Sequence, residues 1–190
     1  MSEANSNYFG KLNYEFASAK ICALDAQLRF KRSIMGLFGT KKPPKGTVES
    51  VVLMLSDYFK RRKLDMDGHA LEGDSDSCGW WLKEGSAKVY IFLQEDKSGG
   101  VVLRVTSPIV HFPDTDRERF FQRCLELNQE LSCCSLSSHE EIILVTSQRP
   151  IAGLDPEELN TLVWNVSHAA DVIDDLFSRE FHCRVYDDCG

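Results

Sequence analysis

The side chains of this chain that can do chemistry are spread too widely to form a recognisable catalytic centre. The cysteines stand at positions 22, 78, 124, 133, 134, 183 and 189, and the histidines at positions 69, 111, 139, 168 and 182. They form no C-x-x-C pair and no H-E-x-x-H, and the chain has no G-x-S-x-G, so the usual metal and nucleophile motifs are absent. We therefore predict no catalytic residue, no metal site, no cofactor and no enzymatic activity.

Two looser groupings lie near the end of the chain. His182, Cys183 and Cys189 could supply three soft metal ligands, but their spacing matches no standard zinc site, so we interpret 182–190 as a flexible tail. The acidic residues at positions 171, 174, 175 and 180 have the side chains that a paired-carboxylate site requires. Such a run is more often the solvated face of a helix, and we favour that interpretation.

Charge is distributed unevenly along the 190 residues. Residues 1–46 carry eight Lys/Arg against three Asp/Glu, a net +5, whereas residues 47–190 carry fourteen against twenty-six, a net −12. An acidic body repels phosphates, so we expect the main domain to bind no nucleic acid and to suit basic or apolar protein partners. The basic stretch is either a flexible extension and linker or an amphipathic helix that contacts a membrane or nucleic acid.

Cysteine usage and hydropathy bear on the compartment. The number of cysteines is odd, and Cys124 falls in an apolar helical stripe where a reduced thiol packs as a small hydrophobe. No apolar run reaches the roughly 18 residues that predict a transmembrane helix. The first residues also lack the apolar core and cleavage site of a secretory signal. We therefore expect a cytoplasmic protein.

The elements that would have to position any site begin with one helix and three strands. Thr47 can cap a first helix whose apolar residues recur at helical spacing as far as Phe59. Strands are predicted near 80–82, 88–94 and 101–110, and we expect Pro108 to stop the third from extending cleanly. The hairpin spacing between them makes these strands antiparallel neighbours.

Two further helices with two strands between them complete the chain. Thr115 and Glu118 have capping-box spacing for the second helix, and two short strands are predicted between residues 133 and 146. Asp155 as N-cap and Glu158 at N3 mark the start of the last helix. The order α-β-β-β-α-β-β-α predicts an α+β fold, an antiparallel sheet with helices packed mainly on one face.

Three segments carry a resemblance to a known family. They are FQRCLELNQEL at 121–131, the strand IILV at 142–145 and the block IAGLDPEEL at 151–159. Over about residues 47–181 the chain resembles the YbjN-like family and the related type III secretion chaperone-like fold. The resemblance implies an acidic, cytosolic, dimeric protein without enzymatic activity that holds an extended client segment against apolar surface. No client-contact residue of the family transfers to this chain position by position.

Several predicted strands are apolar on both faces, although a sheet covered on one face should alternate between apolar and polar residues. In the second strand, Ile91 faces one side while Tyr90 and Phe92 face the other. We predict that the outward side chains bind a partner polypeptide. The predicted contact residues are Trp81, Tyr90, Phe92, Val102, Ile143, Val145 and Trp164. A dimer seam, or cover by the N-terminal extension, is the alternative use of the same surface.

The sequence thus predicts three parts: a basic extension at 1–46, a YbjN-like α+β domain at 47–181 and a tail at 182–190. The predicted function is a non-enzymatic, chaperone-like or adaptor module that forms a homodimer and holds a partner polypeptide on an apolar sheet surface. The alternative is a regulatory or sensory protein whose basic extension contacts a membrane or nucleic acid.

Overall fold

The computed structural model describes residues 43–71, 78–96 and 98–187. The helices and strands are, in chain order, α1 (Val48–Arg61), a 3-10 helix (Asp67–His69), β1 (Cys78–Glu84), β2 (Ala87–Glu95), β3 (Val101–His111), α2 (Arg117–Glu130), β4 (Ser135–His139), β5 (Ile142–Pro150) and α3 (Pro156–Phe181). Most of the predicted basic extension, 1–42, and the last three residues of the predicted tail lie outside the described residues.

Within the described residues, five strands form one antiparallel sheet in the order β1-β2-β3-β5-β4. β4 and β5 pair in register from Ser135 opposite Thr146 to His139 opposite Ile142. β3 is therefore the central strand, with β2 along one edge and β5 along the other. This arrangement confirms the predicted α+β class and the predicted order α-β-β-β-α-β-β-α.

The chain divides into two compact units, and α1 lies in the first, whose described residues are 43–71, 78–80, 92–96, 98–103 and 149–159. Thr47 Oγ1 accepts a hydrogen bond from the Ser50 amide at 3.3 Å, and Ser50 Oγ accepts one from the Thr47 amide at 3.2 Å. This reciprocal pair confirms the predicted cap and satisfies donors that would otherwise be unpaired at the start of the helix. The helix buries Val51, Val52, Leu55, Tyr58 and Phe59.

The start of α3 also belongs to the first unit. Asp155 Oδ1 accepts hydrogen bonds from the amides of Glu157 at 2.9 Å and Glu158 at 2.8 Å. Glu158 Oε2 accepts in return from the Asp155 amide at 3.0 Å. The predicted cap is therefore confirmed, and the acidic first turn adds favourable charge at the positive end of the helix dipole.

The second unit contains residues 81–91, 104–148 and 160–187, and its helix α2 begins differently from the prediction. The residue before the helix is Asp116, in a left-handed conformation with φ 59° and no capping hydrogen bond from its side chain. Because the helix begins two residues after Thr115, the predicted box between Thr115 and Glu118 is wrong. The Arg117 side chain holds this turn instead, donating from Nε to the Pro113 carbonyl at 3.0 Å.

The predicted apolar stripe of α2, Phe120, Cys124, Leu127 and Leu131, is buried at its first three residues, whereas Leu131 lies just after the helix and is half-buried. The stripe's polar neighbour Asn128 fixes the next element. Asn128 Oδ1 accepts from the Leu136 amide at 2.6 Å, and Nδ2 donates to the Leu136 carbonyl at 3.3 Å. One side chain therefore pairs both backbone groups of a residue in β4, which positions that strand against α2.

Strand β3 runs from Val101 to His111, one residue beyond the predicted end, and passes through Pro108. The prediction that Pro108 limits the strand is wrong, because the chain is hydrogen-bonded on both sides of it, through the Ser107 side chain and the His111 backbone. Ser107 Oγ donates to the Lys88 carbonyl at 2.9 Å, and the His111 amide donates to the Arg184 carbonyl at 2.9 Å. A proline costs a sheet only the hydrogen bond of its own missing N–H group.

Candidate functional site

Five of the seven predicted partner contacts are buried within this chain. Tyr90, Phe92 and Val102 are 2 to 4% exposed. Ile143 and Val145 are equally covered, and every residue of β2 from Val89 to Gln94 is buried, so both faces of that strand are covered. The predicted uncovered sheet face is therefore not present at these positions. The apolar side chains of these five residues belong to the core, because other residues of the same chain cover them.

The remaining two predicted contacts, Trp81 and Trp164, are accessible. Trp164 is 58% exposed on α3 and stacks on His168, with ring centroids 4.9 Å apart and an interplanar angle of 16°. Val172, two turns further along the helix, is 51% exposed. These three side chains recur every fourth residue and so share one side of the helix. We call them the α3 ridge.

Helix α2 carries a second exposed apolar site. Leu125 is 68% exposed and Phe121, one turn earlier, is 37% exposed. Phe121 also packs edge-on against Phe112, with centroids 4.9 Å apart, so its ring is held in place from one side. We call Phe121 and Leu125 the α2 pair. Large apolar side chains that are fixed and exposed together are typical of protein contact surfaces.

Trp81 forms part of the wall of a cavity of about 350 Å³ in the second unit. Lys88 lies over the Trp81 ring, with Nζ 4.7 Å from the ring centroid, which is cation–π geometry. Asp174 also lines the cavity, and burial raises its pKa; a hydrogen bond from the Asp175 amide lowers it, and the charges of Asp175 and Asp171 raise it further. Residues 185–187 line the cavity as well. The cavity thus combines an aromatic wall, a cation and a carboxyl group.

The residues that follow α3 pair with the sheet. We call residues 182–187 the C-terminal segment. Within it, Val185 lies opposite Val110 in an isolated antiparallel bridge, and the Tyr186 amide donates to the Ile109 carbonyl at 2.8 Å. The ring of Tyr186 stacks on His111, with centroids 5.9 Å apart. This part of the predicted flexible tail is therefore ordered against the end of β3.

The groupings that could have done chemistry do not assemble. Among the described residues, no three His, Cys, Asp or Glu side chains lie close enough together to hold a metal ion. Burial raises the pKa of the Cys183 thiol to about 11, which opposes the thiolate that a metal would need. Glu180 is engaged by two cations, since its carboxylate lies 3.4 Å from Arg119 and 3.6 Å from Arg123. These facts support the interpretation of the acidic run as a helix surface.

Sequence reasoning missed part of the accessible surface. The α2 pair, Val172 and Val185 were not among the predicted contacts, although each is a large apolar residue exposed in the structure. Phe121 and Val172 could have been found from helical spacing, because both fall outside the buried stripes of their helices. The pairing of Val185 with β3 has no local signal, since it depends on where α3 ends in three dimensions.

Comparison with known protein families confirms the resemblance to the YbjN-like and secretion-chaperone proteins. Residues 55–189 match the family model TY-Chap1, described as T3SS (YopN, CesT) and YbjN peptide-binding chaperone 1. No curated protein matches the chain. Among the described helices, none combines the length and the hydropathy that crossing a membrane requires.

Two solved structures are similar in fold. One is the crystal structure of the ExsC-ExsE complex, with 15% identity and a TM-score of 0.48, where the match covers 69% of this chain and 92% of that chain. The other is the HopA1-SchA chaperone-effector complex, with 13% identity and a TM-score of 0.45, covering 66% of this chain and 93% of that chain.

Proposed function

Because this chain belongs to the T3SS and YbjN peptide-binding chaperone family, we propose that it is a non-enzymatic module that holds an extended segment of a partner polypeptide. The observation that carries the proposal is the α3 ridge. It presents an indole, an imidazole and a valine side chain on one side of a helix whose other side is packed into the core. Aromatic residues that are exposed and fixed in place are the usual anchors of protein interfaces.

The surface that we propose for capture differs from the predicted sheet face. Trp164 and Trp81 are retained as partner contacts. Tyr90, Phe92 and the other three buried residues are part of the core and are not proposed as contacts. Two acidic side chains, Asp171 and Asp175, are exposed on the same helix as Trp164. A basic residue in the partner would be attracted there, so we expect capture to weaken as salt screens the charges.

A peptide array tests the proposal. The full chain is incubated with immobilised 12-residue peptides that tile unfolded model proteins, and the bound chain is quantified. We expect Trp164→Ser to reduce binding about tenfold or more, because a buried aromatic anchor contributes roughly 2 kcal/mol or more. The matched control is Arg179→Lys, which changes an exposed side chain on the same helix, keeps its charge, and leaves the ridge and both aspartates intact. Equal binding by the wild type and Trp164→Ser, with unchanged circular dichroism, would reject the ridge as the capture surface.

We also propose that the chain is a homodimer that associates through the α2 pair. Phe121 and Leu125 form an apolar contact that a two-fold axis can match with the same residues of a second copy. Leu125→Asp places a charge at the centre of such an interface. The variant is expected to be monomeric by light scattering at concentrations where the wild type is dimeric. The control Gln122→Asp adds the same charge one turn away from Leu125 on the same helix, where the side chain is already polar.

For the compartment, we propose the cytoplasm. The support is that the described cysteines, Cys78, Cys124, Cys133, Cys134 and Cys183, are free thiols. Cys133 is exposed to solvent, and an exposed unpaired thiol persists in a reducing environment. Fractionation of cells followed by immunodetection tests this proposal, and recovery of the chain outside the cytoplasm would contradict it.

A further inference from the structure

The central strand β3 has a short stretch of edge that β2 does not reach. β2 begins at Ala87, and the Ser107 hydroxyl already contacts the carbonyl of Lys88, the second residue of that strand. Residues 109–111 therefore extend beyond the start of β2. On the opposite side they are closed by β5, because the Phe112 amide donates to the Glu141 carbonyl at 2.8 Å just before β5 begins. We call the side of residues 109–111 that faces away from β5 the β3 edge.

The C-terminal segment pairs with the β3 edge over the short stretch 184–186. The pairing includes two backbone hydrogen bonds, from His111 N–H to the Arg184 carbonyl at 2.9 Å and from Tyr186 N–H to the Ile109 carbonyl at 2.8 Å, and the Tyr186 ring stacks on His111 beside them. Val185, between them, is 45% exposed. An exposed sheet edge is a template for pairing with another chain, and one covered by so short a segment can be uncovered at low cost.

The cavity beside Trp81 adjoins this edge. Its lining includes Ile109 from β3 together with Val185 and Tyr186 from the C-terminal segment. A strand that replaced the segment would therefore run along the cavity mouth, and alternate side chains of that strand would point toward it. The edge supplies backbone hydrogen bonds, and the cavity supplies a place for side chains. Peptide recognition by strand addition combines these two parts.

We propose that the β3 edge is a strand-addition site for the partner polypeptide, and that the C-terminal segment occupies it as an internal competitor. This inference rests on the proposed function, which it deepens by naming where an extended peptide binds. The segment shows what fits: an antiparallel strand with a β-branched apolar residue at its centre and an aromatic residue next to it. A partner binds by displacing residues 184–186.

Two full-length variants change whether the C-terminal segment occupies the β3 edge: one releases the segment and the other locks it in place. Tyr186→Pro removes the N–H that donates to Ile109 and so releases the segment, whereas Tyr186→Phe keeps that N–H and serves as the control. The double variant Val110→Cys/Val185→Cys allows the segment to be locked. The two residues form a non-hydrogen-bonded antiparallel pair, whose Cα atoms lie about 4.5 Å apart in general, and this separation suits a disulfide.

The probe is a fluorescein-labelled peptide, His-Ser-Arg-Val-Tyr-Asp, which copies residues 182–187 with serine in place of the cysteine. Its binding is followed by fluorescence anisotropy. We expect Tyr186→Pro to bind it about tenfold more tightly than the wild type, because loss of the hydrogen bond from the Tyr186 N–H to Ile109 weakens the internal competitor. Tyr186→Phe should match the wild type. A probe methylated at the tyrosine nitrogen should bind at least tenfold more weakly, because it lacks the donor to Ile109.

The locked variant gives an independent arm if Tyr186→Pro fails to fold. After oxidation with copper phenanthroline, and after mass spectrometry confirms the 110–185 disulfide, the probe should no longer bind, and reduction should restore binding. Wild-type chain treated with the same oxidant is the control. Equal probe binding by the locked and reduced forms overturns the inference, as does a lack of probe binding by a folded Tyr186→Pro variant. If the wild type still bound the peptide array and Trp164→Ser did not, the proposed function would stand without the β3 edge. If the wild type bound no peptide on the array, the proposed function itself would be rejected.

Discussion

Strand β5 and the C-terminal segment both pair with β3, on opposite sides of it, and they differ greatly in how they are held. β5 has nine residues, and its first four, from Ile142 to Val145, are all buried. The C-terminal segment pairs through Arg184 and Tyr186, and its central residue Val185 is nearly half exposed. The backbone chemistry is the same in both cases. Their difference lies in the apolar side chains that become buried when the strand pairs.

The difference determines which of the two can exchange with a partner. A net backbone hydrogen bond contributes about 0.5–1.5 kcal/mol, whereas burying one Val, Leu or Ile side chain contributes about 1.5–3 kcal/mol. Four buried apolar residues therefore fix β5 as part of the global fold. The C-terminal segment has the buried Cys183 as its anchor, and its pairing can open without unfolding the rest.

The largest expected effect comes from placing the same charge in each segment. Val145→Asp buries an unpaired carboxylate at a side chain with 0% exposure, and we expect it to lower the free energy of unfolding by about 4 kcal/mol or more. Val185→Asp changes an exposed position, and its effect should stay within about 0.5 kcal/mol. Urea denaturation of the two variants measures both values. Similar losses in the two variants would mean that the C-terminal segment is as much a part of the core as β5.

The contrast between local and long-range features also explains how much of the fold could be predicted from the sequence. Caps and stripes are local, so Thr47, Asp155 and the buried residues of α2 predict their helices correctly. Apolar residues on both faces of β2 could not by themselves show whether the cover was a partner or this chain. Apolar residues on both faces of a strand indicate only that something covers both faces. The structure shows that residues of the same chain cover Tyr90 and Phe92.

The accessible sites were harder to predict for the same reason. Trp164 was found because it lies off a strong helical stripe. The β3 edge depends on the relative lengths of β2 and β3 and on where α3 ends at Phe181. The left-handed residue His182, with φ 55°, then turns the chain back toward β3. These features are set by tertiary packing, which one sequence does not display.

A smaller effect is expected in the reactivity of the thiol that anchors the C-terminal segment. Burial raises the pKa of Cys183 to about 11, so at pH 8 only about one thiol in a thousand is the reactive thiolate. Iodoacetamide should therefore modify Cys183 far more slowly than the exposed Cys133. In Tyr186→Pro the rate at Cys183 should rise several-fold, because the released segment exposes the thiol.

Cys134 is the matched control for this measurement. Burial, with Cys133 as a further contribution, raises the pKa of Cys134, and this thiol lies just before β4 and not on the segment. Its rate should stay low in the wild type and in Tyr186→Pro, as followed by peptide mass mapping. If both thiols accelerate together, the variant has loosened the whole unit, and the segment does not open independently.

The smallest effect concerns the proton on His111, whose ring stacks on Tyr186. Burial lowers the pKa of His111 below its ordinary 6.5, the Arg184 guanidinium lowers it further, and Glu141 opposes both by raising it. The paired state therefore binds fewer protons than the open state. Stability of the pairing is fully present above pH 6.5 and is lost as the pH falls through that value toward the lower pKa of the folded state.

Two charge variants distinguish the effect of the C-terminal segment on the pKa of His111 from the effect of the residue before β5. Arg184 belongs to the segment, and Glu141 immediately precedes β5. Arg184→Gln removes the cation that lowers the pKa of His111, so an NMR titration of the ring should give a higher value. Glu141→Gln removes the opposing carboxylate and should give a lower one. If Arg184→Gln left the pKa unchanged while Glu141→Gln lowered it, the segment would be spending most of its time away from β3. The internal competitor would then be weak, and the β3 edge would be open to a partner without displacement.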